Sequence, residues 1–174
     1  HSGSSTIGPL RHVLRESYNT PELVYQLAKA RGMDLVTITD HDVISGALTL
    51  AARPDVIVGC EVTATFPDDR VSVHLNVLGL GEHQFAEVDR LRHDVRELLP
   101  YLQQERLFSS LNHVGSRVAG PLTAPHVAAL LPWLDALEVI NGSRKPVQNR
   151  TARSLADAAG TLAIAGSDAH HRRG

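Results

Sequence analysis

The chain has 174 residues, 43% hydrophobic and 21% charged, with a formal net charge of -2, which fits one globular domain with a real core. That balance argues against a broad basic surface for tracking nucleic-acid phosphates, although a local arginine cluster for short oligonucleotides needs no basic average. The lone cysteine, Cys60, cannot form an internal disulfide, no apolar stretch approaches membrane-spanning length and nothing resembles a signal peptide, so the cytoplasm is the expected compartment and no membrane contact is expected.

In chain order, residues 1–19 read as a Ser/Gly/Thr-rich loop with a short apolar and basic patch at 10–15. Thr20-Pro21-Glu22 supplies a hydroxyl cap, a proline at the first helical position and an acid in the first turn, so a helix is expected from there to Gly32. A strand over 35–39, a helix over 44–52 and a strand over 56–60 follow. Pro67-Asp68-Asp69 marks a turn before a β-type run around His74. Residues 82–105 read as one long amphipathic helix, kinked or broken at Pro100. Then come a strand over 107–111, a helix from about Ala124, a strand over 136–140, a helix over 146–159 closed by Gly160, and a strand over 162–165. Strands alternating with helices, apart from a hairpin-like segment near 61–78, predict a parallel α/β sheet or barrel with short connections.

Acids and histidines recur at the ends of these strand-like runs: Asp40-His41-Asp42, Glu61, His113, and Asp168 with His170, while His74 lies inside a run. In α/β proteins the carboxyl ends of parallel strands face the ligand crevice, so such side chains converge from distant sequence positions. Imidazoles and carboxylates on one rim are the donors of a metal site. Ten histidines beside three Phe, three Tyr and one Trp point the same way. Blander readings exist for each: Asp42 as a helix cap, Glu61 as a surface acid, His74 as a core histidine, and Cys60 as a small buried strand residue. His83 and His93 are expected to be solvated and His126 to sit at a helix start.

The succession His1-Ser2, ITDHD (38–42), GCEVTA (59–64), VHLNVLG (73–79), LNHV (111–114), EVING (138–142) and GSDAH (166–170) resembles the polymerase and histidinol phosphatase (PHP) domain family over the whole chain. The resemblance implies a distorted (β/α)7 barrel, truncated here at both ends, with residues 1–174 forming one domain. It also implies two or three divalent metal ions (Zn, Mn or Fe) at the strand carboxyl ends. Carried over by motif, His1 and Asp168 share the first ion, Glu61 bridges two ions, His74 and His113 hold the second, and His41 and His170 hold a third. The family's opening His-x-His is represented by His1 alone, and Ile7 stands where an Asp or His is usual, with His12 nearby as a substitute.

The implied activity is hydrolysis of a phosphorylated metabolite, a nucleotide or a short oligonucleotide by a metal-activated hydroxide. Glu61, Asp168 and His41 are the expected catalytic residues, and Arg117 and Arg144 candidate phosphate forks. Alternatives are an amidohydrolase-like metal hydrolase and a non-catalytic, metal-stabilised scaffold domain of a larger protein. No protein partner is inferable.

Overall fold

A computed structural model of the chain describes residues 1–2, 19–114 and 122–170. Helix α1 (Pro21–Ala30) starts as its sequence dictates: the Thr20 hydroxyl accepts the Leu23 N–H at 3.2 Å. Strand β1 (Val36–His41) leads through α2 (Ser45–Leu48) into β2 (Val56–Phe66), which turns directly into β3 (Val71–Leu78). Helices α3 (Glu82–Leu91) and α4 (Val95–Gln104) precede β4 (Phe108–Leu111). Then α5 (Ala124–Leu130) and a single 3-10 turn lead to β5 (Ala136–Asn141), followed by α6 (Pro146–Ala159) and β6 (Leu162–Gly166).

All six strands form one sheet in the order β1-β2-β3-β4-β5-β6. Pairs β1/β2, β4/β5 and β5/β6 are parallel, while β3 runs antiparallel to both neighbours. The hairpin expected near 61–78 is therefore present, and Arg70 closes its turn with φ 60 and an N–H donated to Phe66 O at 2.9 Å. The sheet curls into a half-barrel. Among the described residues β1 and β6 are its outer strands and no pairing joins them, so the expected closed seven-unit barrel is not what these residues form.

Strand alternation sorts the side chains into two layers. Cys60, Val62 and Ala64 of β2 and Val73, Leu75 and Val77 of β3 are buried in one apolar cluster with Val88, Leu91, Val95, Leu98 and Leu102 of α3 and α4. The residues between them, Glu61 and His74 among them, face the other way. The main apolar core thus lies on the helix-covered side of the sheet, and the opposite, concave side is left for polar chemistry.

Two helix expectations fail for local reasons. The long helix is broken at Asp94 rather than Pro100, because the Asp94 carboxylate accepts the Arg96 N–H at 3.0 Å and so caps a new helix. Pro100 sits on the exposed side inside α4. Helix α2 is only four residues long. After it, Ala51 N–H bonds back to Leu48 O and Arg53 N–H to Leu50 O, tight three-residue turns that do not propagate an α-helix.

Replacing the α4 cap tests this break. Asp94→Ala is expected to lower the unfolding free energy by about 1 kcal/mol, measured by urea titration; an unchanged midpoint would remove Asp94 as the helix start.

Candidate metal centre

The parallel register sets His41 abreast of Glu61, and the antiparallel pairing sets Thr63 abreast of His74. Both imidazoles therefore lie on the concave face beside the Glu61 carboxylate. Glu61 is 3% exposed, and its two oxygens divide their neighbours. Oε1 lies 3.1 Å from His74 Nδ1 and 3.3 Å from His113 Nε2. Oε2 lies 3.1 Å from His1 Nε2 and 3.6 Å from His41 Nε2.

His1 reaches this position because its neighbour is tied down. The Ser2 backbone N–H and hydroxyl both donate to the buried Asp40 carboxylate, and the His1 backbone nitrogen donates to Ala169 O at 3.1 Å. His1 Nε2 also lies 3.4 Å from Asp168 Oδ1. The His1 ring stacks on His41 at 4.8 Å between centroids and meets His170 at 4.3 Å. His170 Nδ1 is 3.6 Å from Asp168 Oδ1. Three overlapping ligand groups result: His1/Glu61/Asp168, His41/Glu61/His74 and His1/His41/His170. All seven sequence-derived ligand candidates, His1, His41, Glu61, His74, His113, Asp168 and His170, come together at one place.

The electrostatics follow from crowding. Burial pushes the Glu61 carboxyl up, but hydrogen bonds from His1, His113 and His74 and the charge of His41 outweigh it and hold it well below the usual carboxylate range. Burial also works against the Asp168 charge, yet the His1 hydrogen bond and the Arg144 guanidinium keep that carboxyl below its ordinary value. Burial raises the Cys60 thiol well above its ordinary value, and its sulfur points at Asp40 O at 3.4 Å, so Cys60 is a core residue and not a thiolate ligand.

These donors fit divalent cations. His74 Nδ1 faces His113 Nε2 at 3.2 Å, and one proton can satisfy only one direction of that contact, whereas a cation accepts both lone pairs together with the Glu61 oxygen. The mixed nitrogen and oxygen set suits Zn, Mn or Fe better than Mg alone.

Other residues land elsewhere. Arg144 is at the site, its Nη2 2.8 Å from Asp168 Oδ2, while its Nε is buried without a hydrogen-bond partner. Ile7, His12 and Arg117 lie outside the described residues. Asp42 does not cap α2; its carboxylate accepts the Thr63 N–H at 2.7 Å and faces Arg92 at 3.5 Å. His83 and His93 are exposed. His126 caps α5 by accepting the Thr123 N–H at 3.1 Å and meets Asp69 at 2.8 Å. Two further acids are buried here: Asp40, read in the sequence as a strand-end acid, and Glu138, to which the sequence reading gave no role. Asp40 anchors Ser2, and Glu138 is 4% exposed on β5, with its carboxyl raised by burial. An acid inside the apolar run ALEVI was the available signal for Glu138. The concave face opens on a cavity of about 850 Å³ whose polar end carries Glu61, His113, Glu138 and Asp168.

Comparison with known proteins agrees with this architecture. A family model described as PHP-associated matches residues 146–174. The fold is similar to a candidate metal-dependent phosphoesterase from Bifidobacterium adolescentis (TM-score 0.69, 18% identity, 90% of this chain and 84% of that one). It is similar to an amidohydrolase from Chromobacterium violaceum with bound sulfate and no metal (TM-score 0.63, 19% identity, 88% and 83% covered). A third neighbour is a two-domain protein from Bacteroides vulgatus containing a predicted PHP-like metal-dependent phosphoesterase (TM-score 0.59, 17% identity, 89% and 48% covered). No curated protein matches the chain. The family model thus covers the last stretch of the chain, and the solved structures share its fold.

The depressed Glu61 carboxyl carries a pH signature in the metal-free protein. A carboxyl held below its unfolded value stabilises the fold above that value and loses the contribution as pH falls through the folded one. Relative to Glu61→Gln, the wild type is therefore expected to lose stability on acidification below the ordinary glutamate value of 4.5; parallel acid-unfolding curves for the two proteins would contradict the assignment.

Proposed function

We propose that this chain is a PHP-type, metal-dependent phosphoesterase acting on a phosphorylated metabolite, nucleotide or short oligonucleotide. One observation carries the reading: the buried Glu61 carboxylate turns one oxygen to His74 and His113 and the other to His1 and His41, the disposition of a carboxylate that bridges two cations. In this reading His1 and Asp168 complete one position, His74 and His113 the second, and His41 and His170 a third. Bound divalent cations supply Lewis acidity toward a phosphoryl oxygen and acidify water near neutral pH.

The chain's own residues do the rest. Glu61 fixes the spacing of the cluster, and Arg144 holds Asp168 in place while its Nε–H remains for a phosphoryl oxygen. Arg117 is carried as a second phosphate fork on the sequence reading alone. Residues 1–174 act as one domain, and the curled six-stranded sheet is read as part of a distorted (β/α)7 barrel. Cytoplasmic residence is favoured by the single buried thiol.

A second reading, hydrolysis of a carbon–nitrogen bond, is favoured only by the name of the Chromobacterium neighbour. A screen of phosphomonoesters, cyclic and bisphosphate nucleotides, short oligonucleotides and amides with Mn or Zn separates the two.

Glu61→Gln is expected to lower phosphoesterase turnover by orders of magnitude and to halve bound metal, read by steady-state assay and elemental analysis, with the circular dichroism spectrum unchanged. His83→Ala, at an exposed position on α3, changes neither. Unaltered turnover in Glu61→Gln would defeat the bridging role.

A further inference from the structure

Glu138 belongs to none of the ligand groups, yet it is buried at the polar end of the cavity. We propose that Glu138 is a positioning residue whose carboxylate sets, through the His113 backbone and the Asn141 amide, where His113 and Asp168 present their ligand atoms. This rests on the metal reading above.

A regular strand would turn residues 138 and 141 to opposite faces. Here Glu138 pairs with Ile164 and Ile140 with Ala165, so β5 carries an extra residue against β6, and such a bulge resets the alternation. Glu138 and Asn141 consequently meet. Oε2 of Glu138 accepts the Asn141 Nδ2–H at 2.9 Å and the His113 backbone N–H at 2.8 Å. The same Asn141 nitrogen donates to Asp168 Oδ2 at 3.4 Å. One buried oxygen therefore links the loop after β4 to the end of β6.

Both linked ligands have unusual backbones: His113 has φ 31 and Asp168 φ 49. Non-glycine residues keep such left-handed conformations only where their surroundings over-determine them. Asn141 is itself fixed, exchanging hydrogen bonds at 3.1 Å with Asn149 in both directions and accepting the Ser143 N–H at 2.9 Å. Ser143 Oγ then donates to Ser167 O at 3.1 Å and to Asp168 O at 3.0 Å. On the far side of Glu138, a Cβ on Gly166 would overlap Oε1, so the carboxylate is also held in place by a residue too small to displace it.

Cobalt(II) binding tests the inference without requiring turnover, through competition with a chelator and the visible ligand-field absorption of the bound ion. Glu138→Ala is expected to weaken Co(II) binding by about ten- to a hundredfold and to change the visible band. Glu138→Gln keeps a carbonyl oxygen for both donors and is expected to restore affinity and band close to wild type. Val139→Ala, on the buried opposite side of β5, is expected to lose thermal stability while binding Co(II) normally. Wild-type affinity and spectrum in Glu138→Ala, a Glu138→Gln as weak as Glu138→Ala, or an equal loss in Val139→Ala would each overturn the positioning role. A wild-type protein that takes up no Co(II) would remove the metal reading itself, and this inference with it.

Discussion

A carboxylate buried among imidazoles is the constraint on which this structure turns. Removing the Glu61 charge from water is costly unless neighbouring donors or cations compensate it. His1, His74 and His113 stand within 3.3 Å of it, and no lysine or arginine pairs with it among the described residues. The His74 and His113 nitrogens point at one another as well as at the carboxylate, so one proton serves only one direction of their contact, whereas a cation would accept both lone pairs.

The fold makes that crowding possible by dividing its labour between the two sides of the sheet. Apolar side chains of β2 and β3 pack under α3 and α4, so the concave face is released from stabilising the core. Parallel strands β1, β2, β5 and β6 deliver His41, Glu61, Asn141 and Asp168 to one end. The reversed strand β3 contributes His74 from its interior, beside Thr63, which explains why that histidine does not sit at a strand terminus. The positive-φ backbones of His113 and Asp168 are held by hydrogen bonds rather than by glycine: the His113 N–H donates to the buried Glu138 carboxylate, and Asp168 accepts from Asn141, Ser143 and Arg144.

Much of this was legible beforehand. Thr20-Pro21 announces α1, and Gly160, with φ 64, closes α6 as its type requires. The recurrence of His and acid along the strand-like runs placed His41, Glu61, His113, Asp168 and His170 near one another, because strand polarity converts sequence position into spatial position, while His1 entered only through the family motif and His74 from inside a run. Failures have equally physical origins. Periodicity across 82–105 continues through the break because Leu91 and Val95 stay buried on both sides of it, so only the capping geometry of Asp94 shows two helices. Glu138 was hidden because its partnership with Asn141 depends on a bulge, which leaves no mark in residue type. Asp42 looked like a cap, but the long β2 strand offered it the Thr63 N–H instead. Closure of the curled sheet is a matter of strand pairing that the sequence pattern alone does not resolve.

The most direct measurement is anomalous diffraction from crystals grown with Mn or Zn, with data collected on both sides of the metal absorption edge. Two anomalous peaks, each about 2 Å from a different Glu61 oxygen, one beside His1 and Asp168 and the other beside His74 and His113, are expected. Peaks confined to exposed histidines such as His83 and His93, with none against Glu61, would contradict the account.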